Sequence, residues 1–173
     1  REHASRYGAE MVTGVVEGLK RTEAGFAART SSRTFEARTI LLAQGVSNHR
    51  PRIAQDAHDR GVAHGLIRYC PICDAYEVRG KRVAVLGSSD HGAAEARFIR
   101  HYTGAVTLLA QNAAQLSEIE AAHLSDIGVS VRQAPVQEIA VTDRDLRITL
   151  ADGESLQFDT LYAALGTSAN SGL

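Results

Sequence analysis

The sequence predicts an α/β protein, and three observations carry that expectation. From Lys81 onward, short apolar runs alternate with amphipathic stretches, as strands and helices do in a parallel sheet. The first of those runs, Val83-Ala84-Val85-Leu86, leads into Gly87-Ser88-Ser89-Asp90-His91-Gly92, a Gly-containing turn between strand and helix of the kind found in Rossmann-like domains. Residues 1–47, in contrast, read as mainly β, which marks a second piece of different character.

In chain order, Val12 to Leu19, Gly25 to Arg29 and Thr34 to Leu42 are strand-like, separated by small and polar residues at 20–25 and 30–33. Thr39-Ile40-Leu41-Leu42-Ala43 is a continuous apolar run before Gln44-Gly45, the pattern of a buried strand. Residues 46–68 are polar, rich in His and Arg, and contain Pro51, Gly61 and Gly65, so a loop or linker is expected there. A short helix is expected from Cys70, with Pro71 at its first position, where no N–H is needed. Beyond Gly92, the residues Ala94, Phe98, Ile99 and Tyr102 share one helical face. Val106 to Leu109 reads as a strand, Ser117 to Ile127 as a helix ending at Gly128, and Val129 to Val131 and Gln137 to Val141 as two strands. Leu146 to Leu150 and Leu156 to Phe158 flank Ala151-Asp152-Gly153-Glu154, a hairpin turn. Leu161 to Leu165 is a last apolar strand before Gly166.

Composition narrows the function classes. With 173 residues, 44% hydrophobic and 23% charged, the chain suits one or two small domains. A net charge of −1 supplies no overall basic field for nucleic acid or an anionic membrane. Aromatic content of 5% without Trp argues against a stacking surface for single strands. No apolar run approaches the ~18 residues of a membrane span, and no signal-peptide pattern is visible. The chain opens at Arg1 in polar sequence, its only Met is Met11, and it closes just after an apolar strand, so a piece of a longer protein is expected.

The only two cysteines stand three apart in Cys70-Pro71-Ile72-Cys73-Asp74. At a helix start, free N–H groups and the partial positive charge favour a thiolate, the nucleophile of disulfide exchange. The spacing lets the sulfurs close a small ring, and Asp74 could carry a proton to or from a leaving thiolate. Such a pair favours a reducing, cytoplasmic compartment. Other readings stay open at this point. The cysteines could be buried and inert. His58 and His64 with Cys70 and Cys73 could form a zinc site, although the His spacing is irregular and no metal is expected. Asp74 could be a first-turn carboxylate and nothing more. The histidines, His49 included, read as solvated loop residues.

In the Gly turn, Gly87 would permit the tight bend and Gly92 the close packing of helix on strand, while Ser89 replaces the middle glycine that normally admits a pyrophosphate. A plain βα turn is the bland alternative. At the end of the next strand, Gln111-Asn112 supplies neither the acidic residue usual for NAD nor the Arg usual for NADP, so either nicotinamide nucleotide remains open.

Taken together, these segments resemble the low-molecular-weight thioredoxin reductases, FAD- and NAD(P)H-dependent disulfide oxidoreductases, over nearly the whole chain. Thr39 to Gly45 looks like the family's flavin-domain strand ending in Ala-Thr-Gly. Tyr69-Cys70-Pro71-Ile72-Cys73-Asp74-Ala75-Tyr76 looks like its redox segment. Gly80 to Gly87 looks like the entry to its nicotinamide domain, Ala94-Glu95-Ala96 like the following helix, and Phe158 to Gly166 like the return strand. The resemblance implies a Rossmann-like nicotinamide domain at 67–166, a partial flavin-domain segment and linker at 1–66, and a return linker at 167–173. It implies Cys70 and Cys73 as redox pair and Asp74 as proton donor. Gly87, Ser88, Ser89, Asp90, His91, Gly92, Gln111, Asn112 and Gly166 become the cofactor-binding set. NADPH or NADH would bind here, whereas FAD needs residues outside this chain. The implied partner is a thioredoxin-like protein or other disulfide substrate, and the implied parent a homodimer. A related flavin-dependent dithiol oxidase or small-molecule disulfide reductase, and a non-catalytic zinc module, are the alternatives. Two departures stand out. Pro71-Ile72 replaces Ala-Thr, and Gln111-Asn112 stands where NADPH-using members carry basic residues.

Overall fold

The computed structural model describes residues 2–87, 89–112, 116–170 and 172. The chain divides into two compact units, Arg1–Val46 with Ala169–Leu173, and Ser47–Ser168.

The smaller unit opens with a single helical turn, α1 (Glu2–Arg6), followed by a three-stranded antiparallel sheet of β1 (Val16–Thr22), β2 (Gly25–Thr30) and β3 (Thr34–Ala37) in that order. The first hairpin turns at Glu23-Ala24, where Thr22 pairs with Gly25. Gly25 has φ of +140°, and a Cβ there would lie 2.3 Å from the Ala37 carbonyl oxygen, so only glycine lets β3 pass so close. None of this unit's described residues is buried. Two expectations shift. β1 starts at Val16 and not at Val12, and β3 stops at Ala37, leaving the apolar run 39–43 without strand structure and with Leu41 88% exposed. An extended backbone needs a neighbour to satisfy its N–H and C=O groups, and no strand among the described residues pairs with that run.

The larger unit is built on a seven-stranded sheet ordered β10-β9-β8-β7-β6-β11-β5. Its strands are β5 (Ile67–Arg68), β6 (Arg82–Leu86), β7 (Ala105–Ala110), β8 (Val129–Val141), β9 (Leu146–Leu150), β10 (Ser155–Phe158) and β11 (Thr160–Ala163). β5, β11, β6, β7 and β8 run parallel, and β8, β9 and β10 form an antiparallel meander. β4 (Val46–Asn48) and β12 (Thr167–Ala169) are short extended segments at the two chain crossings. The helices are α2 (Gln55–Ala63), α3 (Pro71–Asp74), α4 (Asp90–Arg100) and α5 (Glu118–Asp126), with a 3₁₀ turn at Ala75–Val78.

Strand period explains the two cores. Val83 and Val85 face one side of β6, and Ala84 and Leu86 the other, all fully buried. The first side meets Ala93, Ala96 and Ile99 of α4, Leu124 of α5 and Tyr162 of β11. The second meets Ile67, Leu109, Leu161 and the meander residues Leu146, Ile148 and Leu150. Arg97 of α4 pairs with Glu120 of α5 and ties the helices together. Ser117 caps α5 by accepting from the Glu120 N–H at 3.2 Å, and Gly128, where the sequence places the helix end, takes φ of +78°.

The linker expected at 46–68 is instead structured, holding α2 and β5. Its glycines hid this. Gly61 lies inside α2 because a Cβ there would fall 2.6 Å from Ile67 Cδ1, so its absence brings the helix down onto β5. The two strands expected at 129–131 and 137–141 are one long strand, irregular between Arg132 and Pro135, whose first half pairs with β7 and second half with β9. The strand expected at 161–165 is β11, which ends at Ala163 and not at Leu165. No helix among the described residues is long and apolar enough to cross a membrane.

Leu161 sits fully buried where β11 meets β5 and β6. Leu161→Ala is expected to destabilise the protein by about 2–5 kcal/mol, measured as a lowered midpoint in urea.

Candidate functional site

Two features of the larger unit carry chemistry. The first is the redox-capable turn after β5. Cys70 occupies the N-cap of α3, Pro71 fills its first position, and the Cys73 N–H donates to the Cys70 carbonyl at 2.9 Å. The sulfurs are joined in a disulfide at 2.02 Å. Cys73 is exposed and Cys70 half-buried, while Ile72 between them is 84% exposed. α3 is only one turn long, so the dipole expected to favour a thiolate is that of a single turn. Among the described residues no group of three or more His, Cys, Asp or Glu side chains is placed to hold a metal ion. His58 is itself buried, bonded through Nε2 to the Tyr69 hydroxyl at 2.7 Å and through Nδ1 to Asp59 at 2.9 Å.

Asp74 is held at both oxygens. Its Oδ1 accepts a hydrogen bond from the Tyr162 hydroxyl at 2.6 Å, and its Oδ2 pairs with Arg68 Nη1 at 2.9 Å. Arg68 also reaches Glu77 at 2.8 Å. Burial opposes the Arg68 charge, but the Glu77 and Asp74 carboxylates more than offset it and raise its pKa. Tyr162 is fully buried, and burial first, then its bond to Asp74, pushes its hydroxyl far above the usual tyrosine value. The hydroxyl therefore stays a donor. The residue after the second cysteine is thus anchored to β5 and β11, a tie that spacing alone does not reveal.

The second feature is a cavity of about 600 Å³ at the C-terminal ends of β6, β7 and β11, lined by His49, Arg50, Ser89, His91, Gln111, Asn112 and the segment 164–167. Crevices at strand ends where the sheet order changes direction are where open α/β sheets bind ligands. The turn above β6 needs both its glycines. A Cβ on Gly87 would lie 2.8 Å from the Ala164 carbonyl oxygen and 3.0 Å from Gly92 Cα, and a Cβ on Gly92 would meet Gly87 at 3.0 Å. Ser89 precedes α4 with its side chain capping no helix N–H. Ser88 lies outside the described residues. Asp90 is exposed and does not line the cavity, although its neighbours Ser89 and His91 do.

Of the sequence-expected residues, then, Ser89, His91, Gln111, Asn112 and Gly166 converge on the cavity, and Gly87 and Gly92 shape its turn. Sequence reading missed His49 and Arg50. The His49 N–H donates to the Gly166 carbonyl at 3.0 Å, its Nδ1 lies 2.9 Å from the Leu165 carbonyl and its Nε2 2.7 Å from Ser168 Oγ. Those partners are more than a hundred residues away, so no local pattern marks the histidine. Glu95 pairs with His91 at 3.0 Å through Oε1, while its Oε2 is buried without a partner among the described residues, and burial raises its pKa against the effect of His91.

Fold and site define an α/β domain of Rossmann-like alternation that presents a Cys-x-x-Cys disulfide. A family model described as pyridine nucleotide-disulphide oxidoreductase matches residues 2–173, and the chain belongs to that family. It is 34% identical over 63% of its length to the bifunctional thioredoxin reductase/thioredoxin of Mycobacterium leprae, of which it covers 23%. It is 27% identical over its whole length to NADPH-dependent thioredoxin reductase 3 of Arabidopsis thaliana, of which it covers 34%. The chain thus spans about a quarter and about a third of those two relatives. Its fold matches the crystal structure of thioredoxin reductase from Streptococcus pyogenes MGAS5005 with a TM-score of 0.82 at 19% identity, over 99% of this chain and 58% of that one.

Two outcomes are expected. Tyr162→Phe deletes a bond to an ionic acceptor and should cost about 1.5–3 kcal/mol in urea unfolding. Glu95 is raised above the ordinary 4.5, so the folded state holds its proton more tightly than the unfolded chain does. The stability this contributes is complete below 4.5 and is lost as pH rises through the raised value. Glu95→Gln should therefore raise Tm near neutral pH by roughly 1–4 °C, with the difference closing in acid, as thermal unfolding across pH would show.

Proposed function

We propose that this chain is the central part of an NAD(P)H-dependent flavoprotein disulfide reductase. The whole protein would move reducing equivalents from NAD(P)H to the Cys70–Cys73 disulfide and on to a thioredoxin-like protein or other disulfide substrate. The observation that carries this reading is the presence, in one compact unit, of a closed Cys-x-x-Cys disulfide and a Gly-turn cavity at the ends of parallel strands.

The nicotinamide nucleotide fits the residues present. The turn at Gly87 and Gly92 has no room for a Cβ, which brings the start of α4 against the end of β6, and Gln111 Oε1, buried with no partner among the described residues, awaits a donor. Ser89, His91 and the first turn of α4 would hold its pyrophosphate, and Gln111 and Asn112 its adenosine ribose. Bound there, it supplies a hydride. The flavin does not fit in the same way. The described residues of the smaller unit offer no Gly turn between strand and helix, so no residue of this chain is assigned to it. That unit, with its exposed run at 39–43, is read as part of the flavin-binding domain.

Within the dithiol turn, the chain's own part is exchange. Once the pair is reduced, one of its thiolates attacks the partner's disulfide, that S–S bond breaks and a partner sulfur leaves as thiolate; the second cysteine then attacks the mixed disulfide, releasing the partner's other thiolate and re-forming the Cys70–Cys73 bond. Cys73 is the more exposed residue of the two. Asp74, beside it, is the candidate for delivering the proton, and Tyr162 and Arg68 fix its position. A redox dithiol of this kind belongs in a reducing, cytoplasmic compartment, and the family resemblance supports a homodimeric parent.

In the whole protein, Cys70→Ser and Cys73→Ser are each expected to drop NAD(P)H-driven reduction of a disulfide substrate to background while nicotinamide nucleotide binding is kept. Retained disulfide reduction in both variants would defeat the proposal.

A further inference from the structure

We infer that the cavity at the strand ends reads an adenosine ribose bearing a free 2′-hydroxyl, so that the protein takes NADH in preference to NADPH, with Gln111 as the specificity-determining residue. This rests on the nicotinamide reading given under Proposed function.

β7 ends at Ala110, and Gln111 and Asn112 follow it into the cavity wall. The end of the second strand is where a dinucleotide's adenosine ribose lies in such sheets. There Gln111 Oε1 is buried without a hydrogen-bond partner among the described residues. A buried acceptor left unpaired costs free energy until a donor reaches it. A ribose hydroxyl has a hydrogen to give. A 2′-phosphate near neutral pH carries close to two negative charges and presents mainly acceptor oxygens, so it sets acceptor against acceptor.

Nor does the stretch of chain after β7 supply the countercharge a phosphate needs. From Ala110 to Ser117 the chain reads Ala-Gln-Asn-Ala-Ala-Gln-Leu-Ser, without Lys or Arg, and Glu118 opens α5. The cavity's guanidinium, Arg50, comes from elsewhere. It follows His49, whose backbone and ring are bonded to Gly166 and Leu165 beyond β11, and β6 separates β11 from β7 in the sheet. Arg50 Nη1 moreover donates to Gln55 Oε1 at 2.7 Å. Its place suits the other end of the dinucleotide. Arg52 and Glu138, of opposite charge, line a neighbouring cavity of about 110 Å³ together with Gln111.

The test is equilibrium binding to the whole protein, with NADH and NADPH as ligands and 5′-AMP and 2′-phospho-AMP as competitors. NADH should bind at least about tenfold more tightly than NADPH, the ratio set by one unpaired acceptor and an uncompensated charge, and 5′-AMP should compete better than its 2′-phosphorylated form. Gln111→Arg should narrow or reverse both ratios by strengthening NADPH. Asn112→Arg, on the same stretch, is the second variant and should move them the same way. NADPH binding as tightly as NADH in the unaltered protein overturns the inference and leaves the nicotinamide site standing. Binding of neither nucleotide overturns the nicotinamide site itself, and the inference with it.

Discussion

The close approach at Gly87 is the constraint on which the rest of the larger unit depends. The last residue of β6, Leu86, is fully buried, and the chain must then turn at once to start α4. It can do so only because neither Gly87 nor Gly92 carries a Cβ, which lets the turn pass against Ala164 beyond β11 and against itself. The Gly87 N–H is bonded to the Leu109 carbonyl at 2.9 Å, so the same residue also locks the turn to β7. Three parallel strands are thereby brought to end together, and the space beyond them is the cavity. With a side chain at Gly87, α4 would have to lift, and the surface holding Ser89, His91 and Gln111 would come apart.

The disulfide turn is fixed by a different kind of contact. It lies on a one-turn helix with an exposed apolar residue between its sulfurs, so local structure alone holds it weakly. What holds it is charge and hydrogen bonding to the sheet. Asp74 is gripped by Arg68 from β5 and by Tyr162 from β11, two neighbouring parallel strands. Because Tyr162 is fully buried and bonded at its hydroxyl, any movement of Asp74 would strand a polar group in the core. The redox turn is therefore coupled to the same strand whose far end, through Ala164 and Gly166, borders the cavity.

Much of this was legible in the sequence for a plain reason. Alternation in Val83 to Leu86, the stop of α5 at Gly128 and the hairpin turn at 151–154 are local patterns, decided within a few residues, and the structure keeps them. The apolar run at 39–43 has the pattern of a strand too, but strand formation requires a neighbour, and pattern cannot supply one. Residues 46–68 misled in the opposite sense. Gly61 reads as a breaker, yet in α2 it is the gap into which Ile67 packs. In the site, Gly87, Gly92, Gln111 and the cysteines announce themselves by spacing. His49, Arg50 and the Tyr162 hydroxyl do not, since each acts on a residue far away in the chain.

The sequence by itself determined the α/β class, the parallel strands with their Gly turn and the paired cysteines, because each follows from period, turn chemistry or spacing over short distances. Only the tertiary structure decided that Asp74 is bound on both oxygens, that His49 joins the strand crossing before α2 to the one after β11, and that Gln111 carries a buried oxygen with no donor among the described residues. Those depend on which strands lie side by side, and strand order is a property of the packed sheet that no stretch of chain contains on its own.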